Sequence, residues 1–166
     1  MTGLQIVCDT GPLLHLSEAG MIYLLHQAGD ILIPPAVNLE LGRQIAGWNS
    51  LDWLTIHPLE NKHAENARSW VRTGQLDPGE AEAIGLALQT KADWLLTDDA
   101  QARRFAESLD LETHGSVGLL LWAIAAGQLD HEQAHAALEA LASSSLWISE
   151  RVLREARKAI DFLSAN

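Results

Sequence analysis

The stretch Asp77–Asp99, DPGEAEAIGLALQTKADWLLTDD, constrains the chain most. Asp77 suits a helix N-cap, Pro78 the first helical position, and Glu80, three residues after the cap, the return partner of a capping box. The spacing predicts a helix to about Thr90, a short buried strand over Asp93–Thr97, and then the acidic pair Asp98-Asp99. In an α/β layer a helix runs antiparallel to the strand that follows it. The start of this helix and the end of this strand therefore share one edge of the sheet, which carries Glu80 towards Asp98 and Asp99. At roughly 100° per residue, Glu80 falls with Ile84, Ala87 and Leu88 on the apolar face, and Glu82 falls opposite, beside Gln89, where water is expected. A carboxylate turned towards the core costs free energy unless something compensates it.

The remaining segments extend the same alternation. Leu4–Cys8 is β-prone and ends in Asp9-Thr10-Gly11-Pro12, helical material broken at Gly20 and Gly29 follows, and Ile31–Ile33 is a second strand stopped by Pro34-Pro35. A helix over Ala36–Ala46 carries Glu40, a strand is expected at Trp53–His57, and a polar-faced helix at Glu60–Arg72. After the central stretch come a helix at Ala100–Leu109, a fifth strand at Leu111–His114, and helices at Gly115–Ala126, His131–Ala142 and Glu150–Leu163. Strands alternating with helices predict an α/β fold with a five-stranded parallel sheet covered on both faces. No linker or repeat interrupts the 166 residues, so one domain is expected, with the helices from about 131 to 163 packing on it or forming an oligomer interface.

Sites in such a sheet form outside the carboxyl ends of the strands. Asp9 follows the first strand directly, Glu40 lies early in the helix after the second, and Glu80 and Asp98-Asp99 reach the same rim. Clustered carboxylates raise one another's pKa unless a cation neutralises them. Oxygen-only ligands suit Mg2+ or Mn2+, and such ions can generate hydroxide and hold the oxygens of an in-line phosphoryl displacement. Against this stand ordinary roles: Glu80 as a capping-box partner, Asp98 or Asp99 as an N-cap, Asp9 as a turn residue, and Glu40 as a solvated helix glutamate.

Composition sets limits on partners. Eleven Lys and Arg against 22 Asp and Glu give a net charge of −11, awkward for a nucleic-acid binder unless basic residues are concentrated locally or bound cations supply charge. The single cysteine, Cys8, excludes an internal disulfide and fits a reducing compartment. The N-terminus has no basic region of a signal peptide, and the apolar run Val117–Ala126 is too short to cross a bilayer, so a soluble cytoplasmic protein is expected. The six tryptophans are scattered among apolar runs and read as core or interface residues, not as a base-stacking platform.

Asp9 after a β-run, Pro34-Pro35-Ala36-Val37 leading to Glu40, the segment Leu76–Ile84 and Leu95-Leu96-Thr97-Asp98-Asp99 together resemble a PIN-domain protein. More narrowly they are similar to a prokaryotic PIN subfamily related to toxins of type II toxin–antitoxin pairs, and Gly118–Ala123 with Gly127-Gln128-Leu129 resembles a later helix of that subfamily. The resemblance implies a Mg2+- or Mn2+-dependent ribonuclease with Asp9, Glu40, Glu80 and the Asp98-Asp99 pair as its acidic set. It favours Asp99 as the direct metal ligand, with Asp98 the alternate. Thr10 would be a secondary hydroxyl, and Arg103 and Arg104 could meet phosphate. It further implies a homodimer and a possible cognate antitoxin; the alanine- and leucine-rich tail from His135 onward also predicts self-association. The rival reading is a catalytically idle module that binds RNA or protein.

A second motif competes. His131-Glu132-Gln133-Ala134-His135 matches the H-E-x-x-H zinc-peptidase pattern, with Glu150 or Glu155 as conceivable third ligands. Its context is poor, because Asp130 and Gln133 form a capping box that places His131 in the first helical turn.

Overall fold

The computed structural model describes residues 3–49 and 51–166. Five strands, β1 (Leu4–Cys8), β2 (Gly29–Ile33), β3 (Leu54–Ile56), β4 (Trp94–Leu96) and β5 (Thr113–His114), form one parallel sheet in the order β3-β2-β1-β4-β5. The central strands are nearly continuous apolar runs, as a sheet covered on both faces requires. Ile6, Val7, Cys8, Ile31, Ile33, Leu95 and Leu96 are all buried. Burial also pushes the Cys8 thiol well above its usual pKa, which makes it an inert core group.

The expected elements are present, with boundaries moved by a residue or two. Gly29 is more than the helix breaker expected of it. It opens β2 opposite Leu4, and a methyl group there would lie 2.0 Å from the Leu4 carbonyl oxygen, so only glycine permits this register. The break region holds two helices, α1 (Thr10–Glu18) and α2 (Tyr23–Ala28). Pro34-Pro35 both ends β2 and starts α3 (Pro35–Gln44), because proline suits the first helical turn.

The helix α5 (Pro78–Thr90) sits against β1, β4, α3 and α4 (Asn61–Arg72). Its buried residues, from Gly79 and Ala81 through Ala83, Ile84, Gly85, Leu86 and Ala87, run round the helix instead of forming one stripe. A helix apolar all round is enclosed. The side of α5 that carries Glu82 is only partly open to water. Glu82 is half-buried and its Oε2 accepts from the Ala36 backbone N–H at 2.8 Å, at the positive N-terminal end of α3. Gln89, on the same side, accepts from Glu60 N and donates to the Pro58 carbonyl.

Beyond the sheet, α6 (Ala100–Glu107), α7 (Ser116–Ala125), α8 (His131–Ala142) and α9 (Glu150–Ser164) complete the chain. Ala134, Ala137, Leu138 and Leu141 of α8 are buried where α8 meets α7 and α9. The apolar surplus of the tail is thus consumed largely inside the chain. Among the described residues, no helix is long and apolar enough to cross a membrane.

Candidate active site

The sheet order reverses between β1 and β4, since the chain steps outward from β1 to β2 and β3 and then returns to the other side. A crevice opens at the carboxyl ends of strands at such a point. Here the Asp9 backbone N–H still bonds to the Leu96 carbonyl at 2.9 Å, so the two strands deliver Asp9 and Thr97-Asp98-Asp99 side by side. A cleft of about 330 Å³ lies over them, lined by Asp9, Thr10, His15, Glu40, Asp77, Glu80, Asp98 and Asp99 together with residues of the α8–α9 loop. All five expected acidic positions line this one cleft, and no lysine or arginine does. Glu82 lines a different one.

Each carboxylate is held by its own local donors. Asp9, 6% exposed, caps α1 through Thr10 N–H at 2.8 Å and accepts from the Thr97 hydroxyl at 3.0 Å. Burial raises its pKa to about 7; those two donors oppose the rise, and the charges of Asp77 and Glu40 add to it. Glu80 closes the expected capping box, accepting from Asp77 N at 3.0 Å while Asp77 accepts from Glu80 N at 2.8 Å. Burial and the nearby charges of Asp77, Asp99 and Asp9 raise Glu80 to about 8 against that hydrogen bond. Cap and cleft roles coexist in one side chain. Glu40 accepts from the Gly79 N–H at 3.1 Å and from the Thr10 hydroxyl, which ties the middle of α3 to the starts of α5 and α1.

The adjacent aspartates divide their work. Asp98 accepts from Ser116 N at 2.6 Å, Ser116 Oγ at 2.6 Å and His15 Nδ1 at 2.7 Å. Burial would raise Asp98, but these donors together outweigh it and hold the group below the usual carboxylate range. Asp99 caps α6, accepting from Ala102 N at 2.8 Å with Oδ1, and its Oδ2 has no hydrogen-bond partner among the described residues. Gly115 must be glycine for Asp98 to reach Ser116, because a methyl group there would meet Asp98 Oδ1 at 2.8 Å and Arg103 Nη2 at 2.5 Å.

Arg103 and Arg104 are not in the acidic cleft. Arg103 Nη2 donates to the Thr97 carbonyl at 3.0 Å, and the side chain lines a neighbouring cleft of about 410 Å³, behind Asp98. Its buried Nε has no partner. Arg104 is exposed on α6. The helix geometry explains the split, since Asp99 caps α6 and consecutive residues diverge around it.

Four contributors escaped the sequence reading. Asp77 adds a further charge to the cleft, and His15 and Ser116 anchor Asp98 from α1 and α7. Ser116 follows a glycine at a strand-to-helix junction, a signal of an N-terminus but not of a carboxylate docking there. The fourth is Trp147. Five tryptophans pack partly buried against the core as expected, but Trp147 is 84% exposed and lines both the acidic cleft and the Arg103 cleft. Its placement within the polar run Ser143-Ser144-Ser145-Leu146-Trp147 was the available clue.

The donor set suits a hard divalent cation: it consists of oxygens, it carries excess negative charge, and two of its members are pushed towards neutrality when no cation compensates them. Asp9, Glu80 and Asp99 share this cleft and could hold one, with ligand atoms that do not all lie within 4.8 Å of one another. A family model described as a PIN domain matches residues 5–161. A comparison with curated proteins found no match.

Proposed function

Starting from the chain's membership of the PIN-domain family, a nuclease fold that generally uses divalent metal ions, we propose that it hydrolyses phosphodiester bonds in RNA with Mg2+ or Mn2+. The observation that carries this reading is the buried Asp9, set among the carboxylates of Glu40, Asp77, Glu80 and Asp99 in a cleft that no lysine or arginine lines among the described residues.

Asp9, Glu80 and Asp99 would hold the ion, which when bound supplies an activated water and charge neutralisation for the phosphate. Glu40 would support a second ion or its waters. The Thr10 hydroxyl fixes Glu40. Asp98 acts as a strut, its oxygens satisfied by His15 and Ser116, which leaves the direct ligand role to Asp99. RNA would cross from the Arg103 cleft to the acidic cleft, with a base stacked on Trp147 between them. Arg103 supplies the local positive charge that a net charge of −11 otherwise denies the substrate, and Arg104 adds to it from the surface.

A toxin role with a cognate antitoxin, and a cytoplasmic location, belong to the same proposal and are supported by the likeness of Asp9, the Leu76–Ile84 segment and Thr97-Asp98-Asp99 to toxin-related PIN proteins. So does homodimerisation, for which exposed Val152 and Phe162 of α9 offer a surface. The fold is read as one domain over 1–166, because α7, α8 and α9 pack on one another and α7 also meets α1, α2 and β5 of the sheet layer.

The test is cleavage of several single-stranded RNAs by purified protein with Mg2+ or Mn2+. Cleavage that needs the metal and is lost in Asp9→Asn supports the reading. The ion should also raise the melting temperature of the wild type and do so less in Asp9→Asn, because a ligand that binds only the native state stabilises it by mass action. Metal binding without cleavage of any RNA would instead favour the idle binding module.

A further inference from the structure

The H-E-x-x-H segment takes no part in the acidic cleft, yet its histidines are not scattered on the surface. We propose that His131, His135 and Asp161 form a second metal site, selective for a zinc-class transition ion, that clips α8 to α9.

The geometry is built from the sequence upward. The Asp130–Gln133 capping box fixes where α8 begins, with Asp130 Oδ1 accepting from Gln133 N at 2.8 Å and Asp130 N donating to Gln133 Oε1 at 3.0 Å. His131 and His135 are then one turn apart on the same face. Their rings meet edge-on with centroids 4.6 Å apart. Both Nε2 atoms converge on a single oxygen, Asp161 Oδ1, at 2.8 and 2.9 Å. One ligand atom from each of the three residues lies within 4.8 Å of the others, and among the described residues this is the one such group of three. The third ligand is therefore Asp161, not Glu150 or Glu155; Glu155 instead faces Lys158 at 3.9 Å.

The partners come from two helices that are already fixed. Leu138 and Leu141 of α8 and Leu153, Ala156 and Ile160 of α9 are buried, and Arg157 bridges to Glu139 at 2.9 Å. The site is thus assembled by packing and needs no chain reorganisation to accept an ion. As hydrogen bonds alone the arrangement gains little, because solvent screens exposed charge pairs, and two rings in contact that both carried a proton at each nitrogen would repel. A cation at the point where the two Nε2 atoms and the carboxylate meet uses all three groups at once and leaves each Nδ1–H free for water.

Donor chemistry separates this site from the acidic cleft. Two imidazoles and one carboxylate suit Zn2+ and its neighbours, whereas the all-oxygen cleft suits Mg2+ or Mn2+. The three side chains are 57%, 30% and 62% exposed, so water completes the coordination. The nearest cavity, beside His131, is lined by Ile124, Leu129, Asp130, Leu163 and Ser164 and, at about 220 Å³, is smaller than a typical ligand pocket. The site is a structural clip, and the peptidase reading is not adopted.

The test uses untagged, metal-stripped full-length protein titrated with Zn2+ by calorimetry and with Co2+ as a spectroscopic probe. The background carries Asp9→Asn, so that the acidic cleft and the ribonuclease reading play no part. One equivalent is expected to bind at micromolar concentration or tighter, to raise the melting temperature, and to give Co2+ the visible bands of a nitrogen-containing site. His135→Ala and Asp161→Ala should each weaken binding by at least about tenfold, the scale on which even supporting residues of metal sites act. Glu132→Gln should leave it unchanged. Glu132, His135 and Asp161 are all at least partly exposed, so circular dichroism should report intact folds. Binding that is indifferent to His135→Ala and Asp161→Ala, or absent below millimolar Zn2+, overturns the proposal.

Discussion

The Gly79 backbone N–H donates to Glu40 Oε1 at 3.1 Å, and a methyl group on Gly79 would stand 2.4 Å from Glu40 Oε2. The residue that follows the helix-starting Pro78 is therefore also the seat of a carboxylate 39 positions earlier in the chain. Nothing about the Gly79 backbone conformation demands glycine; the close approach does. Gly79→Ala should add helix propensity worth up to about 1 kcal/mol and yet displace Glu40. The expected outcome is a protein with wild-type helix content whose RNA cleavage falls about a hundredfold, the scale of a 1 Å misplacement near reacting groups. A crystal structure of the variant with Glu40 unmoved would defeat the account.

The raised pKa of Asp9 carries a definite sign in stability. Its ordinary value is 3.8 and its folded value about 7. Below about pH 4 the group is protonated in both states and imposes no penalty. As pH rises through the folded value, the native state must accept a buried charge that the unfolded chain bears freely, and stability is lost. Glu80, raised to about 8, adds a contribution of the same sign, reduced by its partial exposure to solvent. Metal-free protein should therefore melt at a higher temperature at pH 5 than at pH 8 from this source. Asp9→Asn should flatten that slope, and excess Mg2+ should abolish most of it. A slope equal in wild type and Asp9→Asn would mean that Asp9 does not titrate as described.

The two neighbouring aspartates should separate in a pair of substitutions. Asp98→Asn replaces an acceptor of three hydrogen bonds, two of them from the fully buried Ser116, by an amide that can accept with only one atom. Hydrogen bonds to charged groups contribute about 1.5–3 kcal/mol each, so the melting temperature should drop clearly. Asp99→Asn keeps an efficient N-cap for α6 and should cost little stability, while removing a proposed metal ligand. Denaturant melts and cleavage assays on the two variants check the contrast, and loss of stability in Asp99→Asn with none in Asp98→Asn would reverse the assignment.

The legible and the illegible parts of this site differ in physical kind. Asp9, Glu80 and Asp98-Asp99 were readable because strand ends and capping boxes are local, and parallel topology then fixes which edge they share. Glu82 lies outside the acidic cleft, as helical phase predicts, but it is half-buried where phase alone predicts open water, because α3 and α4 flank α5 and the Ala36 N–H binds its carboxylate. Asp98 as a strut and Arg103 as its neighbour depend on α7 docking its first turn onto β4, a contact 18 residues apart that no periodicity encodes. Asp161 could not be paired with the histidines from spacing alone, since its distance from them is set by how α9 crosses α8. Membership of the PIN family over residues 5–161 agrees with the motif-level resemblance.

Trp147 offers the sharpest test of how substrate reaches the carboxylates. An indole 84% exposed is a solvation cost unless it has an occupant, and this one borders both the acidic cleft and the Arg103 cleft. Its apolar neighbours Leu146 and Ile148 are only partly exposed, so the loop presents one flat aromatic face rather than a broad apolar patch. Stacking of a base on such a face is worth about 1–3 kcal/mol and tolerates any base, because every base has a π surface. Trp147→Ala should therefore weaken binding of single-stranded RNA by roughly 5- to 150-fold, the same energy expressed as affinity. The loss should fall in KM with kcat largely kept, since no proposed metal ligand is touched, and Trp147→Phe should recover part of it. Quenching of Trp147 fluorescence by RNA, measured in a chain whose other tryptophans are packed against the core, reads the contact directly. If RNA neither quenches this tryptophan nor loses affinity in Trp147→Ala, the substrate does not pass over the α8–α9 loop, and the path between the two clefts must be redrawn.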